Sequence, residues 1–343
     1  MHRLPVGKLP PALLAELLQR HAPHDPRLLL GPGIGLDCTV LDFGSRLLVA
    51  KSDPITFTAE QIGWYAVHVN ANDVATTGAA PRWFLGTLLL PEKGADTALV
   101  RDIFAQIEQA CQQVGAQLVG GHTEITSGLD RPIVCGTMLG EVEREKLITP
   151  RGARPGDALL LAKGVPIEAT SILAREFPQR LAHLPEEVLA RARDYLQHPG
   201  ISVVGEALSA AATGSVTAMH DPTEGGLATG LWELGQACGH GLEIDLEQVR
   251  VPEEAQAVCE ALGINPLDAI ASGALLLAAR PKSAGRVQEA IAATGSQAAR
   301  IGTVVAGEGV WVGEGASRAA LPIPPRDAIA RLFEEGDEKL PEA

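Results

Sequence analysis

The sequence predicts an α/β protein (α+β in detail) built as two domains, and three observations lead there. At 343 residues the chain exceeds the usual size of a single domain, about 100–200 residues. Its apolar fraction of 46% is ample for two cores. Strand-like and helix-like patterns alternate along it, and a charged segment, 143–157, holding Pro150, Gly152, Pro155 and Gly156, interrupts them. The expected boundaries are 1–150 for an N-terminal domain, 151–325 for a C-terminal domain and 326–343 for a charged tail.

Leu9 to Arg20 reads as a short amphipathic helix, broken up afterwards by Pro23, Pro26 and Pro32. Gly31 to Leu41 reads as a glycine loop feeding a strand. Glycines ahead of an apolar run are in the wrong order for a dinucleotide fingerprint, and an ordinary surface turn explains them as well. Arg46 to Ala50 is a strand, with Lys51, Ser52, Asp53 and Pro54 at its end. Asp53 there is either a site residue or a turn former before Pro.

A helix is expected from near Ala59 to Thr77. Ile62, Ala66, Val69, Asp73 and Thr77 follow at spacings of three or four and share a face. Gly78 caps it and Pro81 prevents restart. The apolar face thus carries Asp73 near a helix C-terminus, where the macrodipole disfavours negative charge. Such a carboxylate needs a cation or donors. Asp73 holds a metal ion, or it pairs with an Arg or caps a turn.

Trp83 to Leu90 is strand-like, and Leu99 to Val114 is a helix closed by Gly115. Gln117 to Val119 is a short strand leading into the loop Gly120-Gly121-His122-Thr123-Glu124. Paired glycines let backbone N–H groups approach an anion, although a tight turn is the simpler reading. Ile133 to Val142 is a buried strand. In the second half, Ala158 to Ala162 is a strand and Ile167 to Glu176 a helix. Glu186 to Gln197 and Ser202 to Ala212 are two more helices. Val216 to Met219 is a strand running into His220-Asp221-Pro222-Thr223-Glu224-Gly225-Gly226, with a helix from Leu227 to about Cys238. A helix start behind two glycines is an anion site, or an ordinary capped loop. Leu242 to Leu246, Ala274 to Ala279 and Ile301 to Val305 are strands, Ser283 to Ala293 is a helix, and Gly307 to Ser317 is a hairpin or loop. Arg326 to Ala343 is a loose helix and tail.

Composition excludes several functions. A net charge of −14 leaves no basic stripe for nucleic acid. An acidic protein can still take a polyanion through divalent metal. Five cysteines, none spaced as CxxC, argue against structural zinc or a disulfide framework. The longest nearly apolar run, Asp268 to Arg280, is too short to span a bilayer, and no signal-peptide pattern opens the chain. A cytoplasmic protein is expected. P-loop, protein-kinase, Ser-His-Asp and HExxH patterns are missing from the sequence. Asp37, Asp53, Asp73 and Asp221 all stand beside element ends and small residues. Separate oxygen ligands with glycine loops suit Mg²⁺ bridging a polyphosphate.

Five motifs carry a resemblance: Gly35-Leu36-Asp37-Cys38-Thr39-Val40, Ser52-Asp53, Asn72-Asp73-Val74-Ala75-Thr76-Thr77-Gly78-Ala79, Gly120-Gly121-His122-Thr123-Glu124 and Asp221-Pro222-Thr223-Glu224-Gly225-Gly226-Leu227. They stand in the order of the aminoimidazole ribonucleotide synthetase (PurM-like) superfamily, which the chain resembles over about residues 30–310. Within it, Asp-Pro-Thr-x-Gly-Gly-Leu is most similar to the HypE type. The resemblance implies a two-domain PurM-like fold and a homodimer whose N-terminal strands pair across the two-fold. It also implies Mg²⁺ and ATP in a cleft, with an acceptor oxygen attacking a phosphate. Asp37, Asp53, Asp73 and Asp221 would be metal or phosphate ligands, with Asp73 and Asp221 the catalytic pair. Lys51, Asn72, Gly120, Gly121, His122, Thr123, Thr223, Gly225 and Gly226 would bind the nucleotide. The expected activity is ATP-dependent phosphoryl transfer to a small or carbamoyl-type acceptor, with a possible maturation-protein partner. Two alternatives stand beside it: a non-catalytic ATP-binding partner protein and a thiamine-monophosphate-kinase-like small-molecule kinase.

The chain departs from the patterns of these relatives. It closes Leu340-Pro341-Glu342-Ala343, and its last cysteine is Cys259, where HypE proteins end in Cys. Ser272-Gly273 stands for the Glu-Gly of the HypE type. Leu36 and His122 stand where thiamine-monophosphate kinases have Asp. The nucleophile loop of selenide water dikinase is missing from the N-terminal part of the sequence. The superfamily is therefore specified and the acceptor is not.

Overall fold

The computed structural model describes residues 8–20, 23–313 and 318–335. These residues fall into two compact units. One is His24–Gly31 with Asp37–Leu147. The other takes in the chain before His24, Pro32–Leu36 and the chain from Ile148 on.

In chain order, α1 (Pro11–Arg20) precedes β1 (Leu28–Leu30), β2 (Thr39–Asp42), β3 (Leu47–Ile55), α2 (Ile62–Thr76), β4 (Ala80–Pro91), α3 (Thr97–Val114), β5 (Gln117–Thr126) and β6 (Ile133–Val142). The strands form a six-stranded sheet ordered β1-β2-β3-β6-β4-β5. Pairing is antiparallel except for β4 with β5. Helices α2 and α3 pack on each other, and α2 also lies against β3, β4 and β6.

Helix α2 differs from expectation. All fifteen of its residues are buried, including His68, Asn70, Asn72 and Asp73, so no single stripe marks an inner face. Glycines on β6 give it room. A Cβ at Gly136 would come within 2.5 Å of Asn70 Nδ2, and one at Gly140 within 2.4 Å of Val74 Cγ1.

Two strands run further than their sequence patterns indicate. β3 continues through Lys51, Ser52 and Asp53 to Ile55, pairing with β6 throughout. β2 covers only Leu47–Ala50 of its other edge. Pro54, which has no N–H to donate, therefore sits where that second ladder has ended. β5 runs straight through Gly120-Gly121-His122-Thr123-Glu124, which is strand and not loop. Gly121 adopts φ 142°, and a Cβ there would lie 1.9 Å from the Gly86 carbonyl oxygen of β4. Gly121→Ala is expected to cost ~2 kcal/mol or more, read as a lower denaturant midpoint at unchanged m-value. An unmoved midpoint would contradict this close approach.

The second unit contains β7 (Ala158–Ala162), α4 (Ile167–Glu176), α5 (Glu186–Asp194), α6 (Val204–Ala212), β8 (Val216–His220), α7 (Gly226–Cys238), β9 (Gly241–Ile244), α8 (Glu253–Ala261), β10 (Leu275–Ala279), α9 (Ala284–Ala292), β11 (Ala298–Val305), β12 (Val310–Val312), β13 (Ala319–Ala320) and α10 (Ala330–Glu335). Its seven-stranded sheet is ordered β13-β12-β9-β11-β7-β10-β8. Every residue of β7 and β10 is buried, as suits central strands covered on both faces. Leu159, Leu161, Leu227, Leu231, Leu234 and Leu276 join one core.

Helix α8 had no counterpart among the elements expected from sequence. It buries only Ala255, Val258 and Cys259 behind a charged face. The start of the segment read as a loose tail is packed instead. Ile329, Ala330 and Leu332 are fully buried, and Phe333 meets Phe177 edge-on at 5.1 Å. Residues 314–317 of the expected hairpin and 336–343 of the expected tail lie outside the described residues.

Candidate functional site

The first unit gathers three of the four aspartates around one lysine. Lys51 lies on β3, and its Nζ is 2.9 Å from Asp73 Oδ2 and 3.0 Å from Asp53 Oδ2. Alternation along a strand turns Lys51 and Asp53 to the same face of the sheet, and α2, which packs on β3, brings Asp73 to Lys51. Asp37, just before β2, adds its field to both Lys51 and Asp73. Asp73 is 1% exposed. Burial raises its carboxyl to about 7 against the pull of Lys51, and Asp37 and Asp53 push the same way as burial. Burial also works to lower the Lys51 ammonium, but Asp73, Asp53 and Asp37 outweigh it and hold the amine well above its ordinary value. The Cys38 thiol, buried beside this group, is pushed up by burial and then by Asp73.

Asn70, which no sequence signal singled out, fixes Asp53 in place. The Asp53 backbone N–H donates to Asn70 Oδ1 at 2.8 Å, and Asn70 Nδ2 donates to the Asp53 carbonyl at 3.2 Å and to the Ala66 carbonyl at 2.8 Å. The side chain thus ties β3 to α2. Its neighbour Asn72 is fully buried in the same helix.

Gly120, Gly121, His122 and Thr123 are not brought to this centre. They lie on β5, an edge strand with every residue but Thr126 exposed, and β6 and β4 stand between it and β3. Three inter-strand steps make the separation about 14 Å. His122 Nε2 instead meets Glu124 Oε2 at 3.2 Å, and the Thr126 hydroxyl donates to Glu124 Oε1 at 2.7 Å. The Thr126 bond, then the His122 bond, hold the Glu124 carboxyl below its ordinary value.

Asp221 belongs to the second unit. It follows β8 and is 1% exposed. His220 before it meets Glu233 Oε2 of α7 at 3.0 Å. The loop after it is organised by Lys8, whose Nζ donates to Thr223 Oγ1 at 2.9 Å and pairs with Glu224 Oε2 at 3.2 Å. Gly225 caps α7 at φ 82°, and Gly226 opens the helix at φ 63°. A Cβ on Gly226 would lie 2.4 Å from the Leu267 carbonyl oxygen, so the turn demands glycine for space as well as conformation. The Gly225 N–H is already engaged. It donates to Asp327 Oδ2 at 2.6 Å, while the Ile329 N–H donates to Oδ1 at 3.0 Å.

One unit holds a buried and a half-buried carboxylate at a lysine, and the other holds a buried carboxylate just ahead of a glycine-started helix. Such groups offer hard oxygen ligands, a fixed positive charge and backbone donors, the parts from which polyphosphate sites are made.

Comparison with known proteins places the chain among related sequences. The model for the N-terminal domain of AIR synthase related protein matches residues 35–142, and the model for its C-terminal domain matches residues 154–313. A carbamoyl dehydratase HypE of Azotobacter vinelandii is 31% identical over 260 residues, covering 74% of this chain and 73% of that protein. Its counterpart from Cupriavidus necator is 30% identical over 270 residues, covering 76% and 74%. Among solved structures, a hydrogenase maturation protein HypE in complex with ATP superposes with a TM-score of 0.64 at 25% identity, covering 91% of this chain and 94% of that one.

Proposed function

Because the chain belongs to the AIR synthase related family and carries both of its domains, we propose that it is a HypE-like, Mg-ATP-dependent enzyme. It transfers a phosphoryl group to an oxygen of a small or carbamoyl-type acceptor and so activates it. The observation that carries this reading is the buried Asp73 and the half-buried Asp53, both held on Lys51. The HypE structure bound to ATP and the relatives named carbamoyl dehydratase support it. The proposed domain limits are 1–150 and 151–325, with 326–343 as the tail.

The donors suit Mg²⁺ in one specific way. Among the described residues no three His, Cys, Asp or Glu side chains lie close enough to hold an ion by themselves. Mg²⁺ asks for only one or two carboxylates when phosphate and water complete its shell. Asp73 fits that demand: Oδ1 has no hydrogen-bond partner among the described residues, while Oδ2 faces Lys51. Asp73 and Asp53 would hold the ion, with Asp37 close by; Asp221, in the second unit, is proposed as a metal or phosphate ligand in its own right. The ion, when bound, neutralises phosphate charge. Lys51 keeps the two carboxylates in place, and Asn70 fixes the Asp53 backbone. Lys51, Asn72, Thr223, Gly225 and Gly226 are assigned to the nucleotide. Gly120, Gly121, His122 and Thr123 would meet it only at the sheet edge. Catalysis is then mainly positioning and charge neutralisation.

The test is titration of the intact chain with Mg-ATP, followed by phosphate release across a panel of acceptors. Turnover raised by one acceptor supports the enzyme. Binding that no acceptor converts to turnover favours the non-catalytic partner protein, and no binding removes the reading.

A homodimer is part of the proposal. β5 leaves one edge of its sheet open, with Leu118, Val119 and Ile125 exposed, and such an edge invites a second strand. Sedimentation of the intact chain at two concentrations reads this, and a monomer at both would count against it. No helix among the described residues is long and apolar enough to cross a membrane. A cytoplasmic place and a maturation-protein partner belong to the same proposal; the structure of a HypE–HypF complex, at 20% identity, supports the shared fold.

A further inference from the structure

Outside the groups already assigned, the second unit buries a carboxyl with one oxygen left open. Glu168 stands in the first turn of α4 and is 4% exposed. Its Oε2 has no hydrogen-bond partner among the described residues. Ser272 lies alongside, close enough for its hydroxyl and amide to favour the ionised carboxyl. Yet the Ser272 hydroxyl completes no hydrogen bond of good geometry among the described residues, and the residue is 1% exposed. Two adjacent buried polar groups left open in this way cost more than any ordinary core can justify.

The charges around them are unbalanced. The groups acting most strongly on Glu168 are Ser272, Glu224 and Asp327. Glu224 is compensated by Lys8. Asp327 is raised to about 7, by burial first and with Glu224 acting the same way. Burial, then Glu224 and Asp327, raise Glu168 to about 8 in spite of Ser272. Lys8 acts on Glu224 and Asp327 and also faces Glu233 at 3.8 Å, so the acids of this cluster outnumber it, and burial keeps protons on Glu168 and Asp327.

We propose that Glu168 and Ser272 form a binding site for an organic cation, an amine or amidine group, which pairs with Glu168 Oε2 and takes a hydrogen bond to Ser272 Oγ. An anion would meet Glu224 and Asp327. A cation supplies the missing charge and donates to both open oxygens. Binding displaces the Glu168 proton.

The test uses three planar probes of nearly one shape, acetamidinium, acetamide and acetate, and no nucleotide, so it succeeds or fails apart from the ATP reading. The Glu168 carboxyl is followed by NMR in the intact chain, assigned by its loss in Glu168→Gln. Acetamidinium is expected to lower the titration midpoint by at least about one pH unit. Its affinity should rise about tenfold per pH unit below about pH 8, since only the ionised carboxylate pairs with it. Glu168→Gln, isosteric with the protonated acid, should keep the fold and lose this binding. Ser272→Ala should weaken it and keep the pH profile. A midpoint unmoved by acetamidinium, equal affinity in Glu168→Gln, or tighter binding of acetamide or acetate overturns the site.

Discussion

Replacing Asp73 with Asn is expected to lower Mg-ATP turnover by at least ~100-fold while the chain stays folded. Asn keeps the shape of the side chain and removes the charge that would hold a divalent ion against the phosphate. The fold should tolerate the change because burial already opposes the ionised form, raising the carboxyl to about 7. The sign follows from linkage. A carboxyl raised in the native state binds its proton more tightly there than in the unfolded chain. Its contribution to stability is therefore full below about 4 and declines as pH rises towards 7. Asp73→Asn should flatten that decline. Phosphate release at saturating Mg-ATP reads the first effect, and melting temperature against pH reads the second. Turnover equal to that of the parent chain would remove Asp73 from the chemistry.

Replacing Lys51 with Met should be the most destabilising single change in the first unit, costing ~3–5 kcal/mol near neutral pH. The lysine side chain is 13% exposed and faces Asp73 at 2.9 Å and Asp53 at 3.0 Å. Its loss leaves the buried Asp73 carboxyl under the fields of Asp37 and Asp53 with no nearby cation among the described residues holding it. The cost should shrink at acid pH, where protons replace the lysine. The double variant Lys51→Met with Asp73→Asn should recover much of the loss, because the pair then disappears together. Denaturant midpoints of the four chains measure the coupling. A loss under about 1 kcal/mol for Lys51→Met would reduce the pair to the level of a surface contact.

Asp73 was legible in the sequence because it interrupts an apolar helical run just before a capping glycine, and both features act within a few residues. Gly78 indeed adopts φ 76°. The partnership with Lys51 was not legible. It joins residues twenty-two positions apart through a strand and a helix, and no periodicity records such a meeting. Lys51 and Asp53 looked like the end of a strand because Pro54 normally ends one. The strand continues because β6 pairs along its whole length while β2 stops at Ala50. Gly120 and Gly121 looked like a loop for a similar reason. β4 pairs with it on both sides of a bulge at Val119, and Gly121 lets the two backbones approach where a side chain could not. The packed segment before Glu335 was hidden by its charge. Ile329 and Leu332 sit among Arg326, Asp327, Arg331 and Glu334, and two apolar residues in such company carry little pattern.

Helix α2, covered on every side, sets the timescale on which its carboxylate can respond. None of its turns faces water, so none can fray without parting the sheet from α3. The charge pair is consequently assembled during folding and stands ready before any visitor arrives. A cation bound at Asp73 would meet a carboxylate already placed and would pay no entropy to order it, so any adaptation would fall to the loops and the ligand.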